Sequence, residues 1–319
     1  MTSTTEQHAP PTAGIRDPFV HEALVYYDDA SYLSGTMPFI YRALAADQPV
    51  LVAVPQANVD LLRARLGAFA DGVTFRDMTA AGRNPGRIIP WVLTAFMDEH
   101  FGRPVRIIGE PIWAGRSRDE YGVAVMHEAM INIACRGRDA TILCPYDAST
   151  LGADVITEAE QTHPVMVAEG HKSASRRYDP HHVVHLHNRP LSEPPPGATS
   201  LFFEATDLTE VRTVAAEQGM AAGLDRQRIE ELLTATNEIA TNSVVHGGGS
   251  GTLRTWVTDD RVVCEIRDFG WIRDPLAGRL CPGSSSVRGR GLVLAHYLCD
   301  LVQMYTCQTG TTIRLHVLR

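Results

Sequence analysis

Up to residue 187 the sequence predicts an α/β domain built on a mainly parallel sheet, and from residue 200 an α+β two-layer sandwich. Three features carry this. Apolar β-type runs alternate with helix-period segments in the first part. Residues 188 to 199 hold four prolines and a glycine, a composition that sustains neither a helix nor a central strand. Beyond this linker, strands are grouped with paired helices rather than alternating with single ones.

Taken in order, Val50–Val54, Val105–Gly109 and Ala140–Cys144 are near-continuous apolar runs, the pattern of strands covered on both faces. Helical periodicity marks segments near 29–46, 57–67, 87–101, 117–135 and 150–162. Together they define a domain over residues 17–187. In 200–319 a strand near 200–204 precedes helices near 207–222 and 226–246, then strands near 252–258 and 261–267. A helix near 290–300 and strands near 301–307 and 311–318 close the chain. Between them, Trp271 to Arg288 is rich in Gly, Pro and Ser and longer than ordinary connections, which marks it as a flap.

The bulk numbers exclude several classes. A chain of 319 residues suits two domains, each with its own core. A formal charge of −8 argues against coating nucleic acid. No apolar run approaches the roughly 20 residues that span a bilayer, and Met1 to Gly14 is a polar tail without a signal-peptide core. The six cysteines show no C-x-x-C spacing and suit reduced thiols. A cytosolic, cytoplasmic protein without membrane or direct nucleic-acid contact is expected.

Four short signals then follow one another over about 75 residues: Glu238-x-x-x-Asn242-x-x-x-His246, Asp268-Phe269-Gly270, Gly289-Arg290-Gly291-Leu292 and Gly310-Thr311-Thr312. Spacing of i, i+4 and i+8 puts Glu238, Asn242 and His246 on one helix face. Asn242 offers a neutral oxygen of the kind magnesium accepts beside phosphates, and Glu238 can take a proton from a hydroxyl or water. Asp268 can accept the exocyclic amine of adenine, with Gly270 leaving room for a flat ring. Gly289 and Gly291 around Arg290, before Leu292, let backbone N–H groups reach phosphate oxygens at a helix start. Each signal has a plain alternative: a solvated helix face, a strand-ending turn, a glycine-rich loop without ligand, or threonines favoured by a strand.

Jointly they resemble the ATP-binding domain shared by gyrase, histidine kinases and MutL, with Glu238/Asn242 as its N box and the two glycine motifs as its glycine boxes. The endings His246-Gly247-Gly248 and Gly291-Leu292-x-Leu294 most resemble anti-sigma-factor serine kinases. The resemblance implies a Bergerat sandwich (the GHKL class), Mg-ATP bound by these residues together with Thr311 and Thr312, and phosphorylation of a serine on an anti-sigma-factor antagonist. It also suggests a homodimer. Trp271 departs from the pattern, standing where many relatives have a small residue.

In the first domain a Walker loop is excluded, because Lys172 is the single lysine and Gly170-His171-Lys172-Ser173 lacks the spacing. His21 to Tyr26, Gly82 to Arg87, Gly109-Glu110-Pro111-Ile112-Trp113, Cys144-Pro145-Tyr146-Asp147 and Thr162-His163-Pro164 resemble the MEDS sensory domain of bacterial regulators. That resemblance implies a signal-receiving role, with His21, Tyr26, Glu110, Trp113, Cys144, Tyr146, Asp147 and His163 as candidates for sensing a small molecule. The pair of domains is similar to RsbA-family regulatory proteins.

Two histidine patterns stay open. His163, His171, His181, His182, His185 and His187 can share a metal, yet the alternation from His182 to His187 equally suits an exposed edge strand or the approach to the linker. His127-Glu128 matches a phospho-accepting pair, but it sits inside the α/β domain, whereas such a helix belongs beside the ATP domain. The function expected is therefore a sensor-controlled ATP-dependent serine kinase that also sequesters a sigma factor. A catalytically silent ATP-dependent binding module and a sensor histidine kinase are the alternatives.

Overall fold

The computed structural model describes residues 17–281 and 289–319. The tail Met1 to Gly14 and the flap's Pro282, Gly283 and serines lie outside the described residues.

Seven strands form the first sheet: β1 (Val20–Tyr26), β2 (Val50–Val54), β3 (Val73–Asp77), β4 (Val105–Gly109), β5 (Ala140–Asp147), β6 (Val165–Ala168) and β7 (His171–Ala174). Their order is β3-β2-β4-β5-β1-β6-β7, with neighbours parallel except for the β6–β7 hairpin. Helices α1 (Asp29–Ala45) and α2 (Gln56–Leu66) pack on Leu24, Val52, Ile108 and Leu143. On the opposite face α3 (Met78–Ala81), α4 (Thr94–Glu99) and α5 (Arg118–Ala134) cover Ala23, Leu51, Ile107 and Ile142. Adjacent residues of one strand thus feed opposite cores, as the pleat requires. The start of α5 is fixed by a reciprocal cap between Ser117 and Glu120. Helices α6 (Ala153–Thr162) and α7 (Pro180–His187) complete the domain.

The stretch His182 to His187, whose alternation suited an exposed edge strand or the approach to the linker as well as a metal site, is helical. Asp179 accepts from the His182 N–H at 3.0 Å and Pro180 occupies the first turn. Cap and proline together outweigh the period-2 alternation.

The second sheet has β8 (Thr199–Glu204), β9 (Ser250–Val257), β10 (Arg261–Asp268), β11 (Leu301–Cys307) and β12 (Gly310–Leu318) in the order β11-β12-β10-β9-β8, all antiparallel. Helices α8 (Leu208–Ala221), α9 (Arg226–His246) and α10 (Arg290–Leu298) cover one face over Phe203, Leu232, Ile239, Leu253, Ile266 and Leu315. This is the expected two-layer sandwich. On the other face Arg314 and Glu265 form a buried cross-strand pair, and Arg314 also donates to the Ser192 carbonyl of the proline-rich segment.

The two domains meet along α10. Asn84, fully buried, donates to the carbonyls of His296 (2.9 Å) and Cys299 (3.3 Å). Arg83 pairs with Asp300, Arg87 lies over the Tyr297 ring at 5.0 Å, and Leu276 of the flap packs on the first domain's core.

Candidate functional site

Helix α9 begins at Asp225, whose side chain accepts from the Arg228 N–H. Leu232, Ala235, Thr236, Ile239, Ala240 and Ser243 are its buried stripe, which leaves Glu238, Asn242 and His246 along the adjoining edge. Opposite them α10 starts at Gly289, whose φ of 85° lies in the left-handed region that favours glycine. A Cβ on Gly291 would stand 2.8 Å from Glu238 Oε2 and 3.1 Å from the Asn242 amide nitrogen. A side chain there would crowd the ends of both residues.

Asp268 ends β10 beside Thr311 of β12. Its Oδ2 accepts from the Ser243 hydroxyl at 2.6 Å and its Oδ1 from the Gly270 N–H at 2.8 Å. Thr311 in turn donates to the Gly270 carbonyl at 2.8 Å. The carboxylate is held in one orientation, and each oxygen keeps a further lone pair for a ligand donor.

These elements enclose a cavity of about 460 Å³, within the range of small-molecule sites. Asn242, His246, Asp268, Gly270, Gly289, Gly291, Leu292 and Thr311 line it, with Ile239, Trp271, Ile272, Leu276, Leu280 and Ile313 as apolar wall. Three residues singled out from the motifs lie elsewhere. Glu238 stands beside the cavity at the α9–α10 contact, Arg290 is exposed, and Thr312 is on the far face of the sheet, in a cleft with Arg267 and Tyr305. Thr312 follows Thr311 in a strand, so the pleat sends it the other way. Gly270 is also needed for a different reason from ring clearance, since a Cβ there would meet the His246 carbonyl at 2.9 Å.

Ser243, Gly247 and Arg279 were not among the expected residues. A Cβ on Gly247 would lie 2.5 Å from the Asp268 carboxyl carbon. Arg279, in the described part of the flap, is buried, and burial pushes its guanidinium down to about 10.

The sensory candidates separate into groups. His21, Cys144 and His163 converge with Glu128 in the core, and Tyr146 sets its ring edge against His163 at 5.6 Å. Tyr26 donates to Glu110 at 3.1 Å while Asn58 holds the other oxygen at 2.8 Å, and burial pushes the Glu110 carboxyl up to about 8. Trp113 lies under the Arg116 guanidinium, and Asp147 is a turn residue accepting from Ser149 and Thr150. His127 is fully buried and shut off from solvent. The run His171 to His187 does not gather into a ligand set among the described residues: His181, His182 and His185 are exposed, and His187 pairs with Glu158. Lys172 bonds both oxygens of Glu22, at 2.5 and 2.6 Å.

Residues 203–317 match the family model of the histidine kinase-like ATPase domain, and residues 20–164 that of MEDS, the methanogen/methylotroph DcmR sensory domain. Among solved structures, the RsbU and RsbW domains of a Mycobacterium tuberculosis protein are similar at 20% identity and a TM-score of 0.29, over 38% of this chain and 32% of that one. The Acinetobacter baumannii histidine kinase AdeS is similar at 10% identity and a TM-score of 0.24, over 38% of this chain and 67% of that one. The matched part thus spans about a third of the first of these proteins. No curated protein matches the chain. No helix among the described residues is long and apolar enough to cross a membrane. The chain joins an amino-terminal MEDS sensory domain to a carboxy-terminal histidine kinase-like ATPase domain.

Proposed function

We propose that the chain is an anti-sigma factor and serine kinase that acts on an anti-sigma-factor antagonist under control of its sensory domain. The supporting observation is the cavity in which Asn242, the doubly anchored Asp268 and the glycine start of α10 face one another. Asp268 receives the adenine amine. The first N–H groups of α10, freed of side chains at Gly289 and Gly291, receive phosphate oxygens. Asn242 supplies an oxygen to magnesium. Glu238, against the same helix start, takes the proton of the attacking serine hydroxyl. Bound Mg-ATP supplies the phosphoryl group, and the chain's part is positioning and charge compensation. We place the domain boundary in the proline-rich segment 188–199. Control by a small-molecule signal would run through the Asn84–α10 seam, and a homodimer is the assembly that this reading carries.

The test is full-length protein with labelled ATP and a candidate antagonist. Acid-stable phosphoserine on the antagonist is expected. Nucleotide-dependent capture without transfer would make it a silent binding module, and acid-labile autophosphorylation a histidine kinase; either overturns the proposal. Asn242→Ala is expected to lose Mg-ATP binding by calorimetry. Glu238→Ala should keep binding and lose transfer.

A further inference from the structure

His21 on β1 is in register with Ile142 on β5, so Cys144, two residues on, lies diagonally beside it on the same face. Helix α5 crosses that face and brings Glu128; the residue ending α6 brings His163. Their four donor atoms lie within 4.8 Å of one another, and all four residues are at most 1% exposed. His21 Nε2 is 3.3 Å from Cys144 Sγ and 3.4 Å from Glu128 Oε2, and His163 Nε2 is 2.9 Å from the same oxygen. Ligand atoms of a tetrahedral zinc with bonds of about 2.0–2.3 Å stand about 3.3–3.8 Å apart. The cluster is already close to that size.

The surrounding hydrogen bonds aim the imidazoles. Asn132 Nδ2 donates to the Thr162 carbonyl at 2.8 Å, which leaves its Oδ1 to accept from His21 Nδ1 at 3.2 Å. His163 Nδ1 donates to the Ala159 carbonyl at 2.9 Å. Each ring therefore turns its Nε2 toward the Glu128 carboxylate, the arrangement that orients metal-binding histidines. Glu128 Oε2 faces both Nε2 atoms, 2.9 Å from His163 and 3.4 Å from His21, while Glu128 Oε1 has no hydrogen-bond partner among the described residues.

We propose that His21, Glu128, Cys144 and His163 bind one divalent transition-metal ion in the core of the sensory domain, with zinc the ion that suits the donors. Two imidazoles and a thiolate select a borderline or soft cation over magnesium or calcium. On binding, the Cys144 thiol releases its proton to solvent. Thiolate and carboxylate then balance the two positive charges, so the buried site is electroneutral.

The test uses the full chain, stripped with a chelator and titrated with Co²⁺. One equivalent is expected, with tetrahedral d–d absorption and a near-ultraviolet thiolate-to-cobalt band, both abolished by stoichiometric Zn²⁺. Cys144→Ser should remove the charge-transfer band and weaken zinc by about 100-fold or more in chelator competition, since even outer-shell partners contribute 10- to 100-fold. His185→Ala, on the exposed side of α7, should change neither readout. If Cys144→Ser does not fold, the cobalt spectrum of the unaltered chain decides. Absence of the thiolate band, its persistence in folded Cys144→Ser, or its loss in His185→Ala overturns the site.

Discussion

Asn84 of the sensory domain donates its side-chain amide to the main-chain carbonyl of His296, 2.9 Å away in α10. The first turn of that same helix carries Gly289 and Gly291. Its Oδ1 accepts from the Gly86 N–H at 3.0 Å, while its Nδ2 serves the carbonyls of His296 and of Cys299, which caps α10. The sensory domain therefore holds the end of the helix whose beginning lines the cavity.

Asn84→Ala removes that donor from buried carbonyls, a loss of about 1–3 kcal/mol. We expect a lower unfolding midpoint and faster amide exchange within residues 290–298, with β1 and β5 unchanged. Hydrogen-exchange mass spectrometry checks this. Unaltered exchange in α10 would show that the seam does not stabilise the helix.

The second prediction concerns the Ser243 hydroxyl, which fixes one oxygen of Asp268 at 2.6 Å. In Ser243→Ala the Gly270 N–H still holds the other oxygen, so the carboxylate gains one rotational freedom and loses a charge-assisted bond. ATP affinity is expected to fall about 3- to 10-fold, with the preference for ATP over GTP reduced. Calorimetry with both nucleotides distinguishes the causes. Equal losses for the two would assign the effect to packing alone.

The second domain was legible nearly element by element because local signals agree with the fold there. Asp225 caps α9 and its apolar period matches the buried stripe, so the expected and observed bounds of 226–246 coincide. The first domain hides more. Strand β1 carries the buried polar residues His21 and Glu22, which break the apolar run that announces a parallel strand, and β3 is a five-residue alternating segment. Thr312 and Glu128 failed for opposite reasons. A linear motif takes neighbours together although a strand separates Thr311 from Thr312 onto two faces. Conversely, Glu128 belongs with His21 and Cys144, which the sheet rather than the spacing brings to it. Ser243 had a legible place on the α9 stripe, but its bond to Asp268 depends on how helix and strand pack.

The third prediction is a pH dependence with a defined sign. His316 on β12 is buried, with Nε2 bonded to Gln303 at 2.9 Å and Nδ1 without a partner among the described residues. Burial, with the nearby cations Arg261 and Arg314, pushes its pKa from 6.5 down to about 3. The folded chain keeps it neutral while the unfolded chain protonates it as pH falls through about 6.5. Its contribution is thus intact above about pH 6.5 and is lost progressively as pH falls toward 3. At about pH 4.5 the loss is roughly 2–3 kcal/mol. His316→Gln removes the titration, so the variant should lose less stability than the unaltered chain between about pH 7 and 4.5. Urea unfolding across that interval measures it. Parallel curves would mean that His316 takes up its proton equally in both states, and the buried neutral imidazole would have to be abandoned.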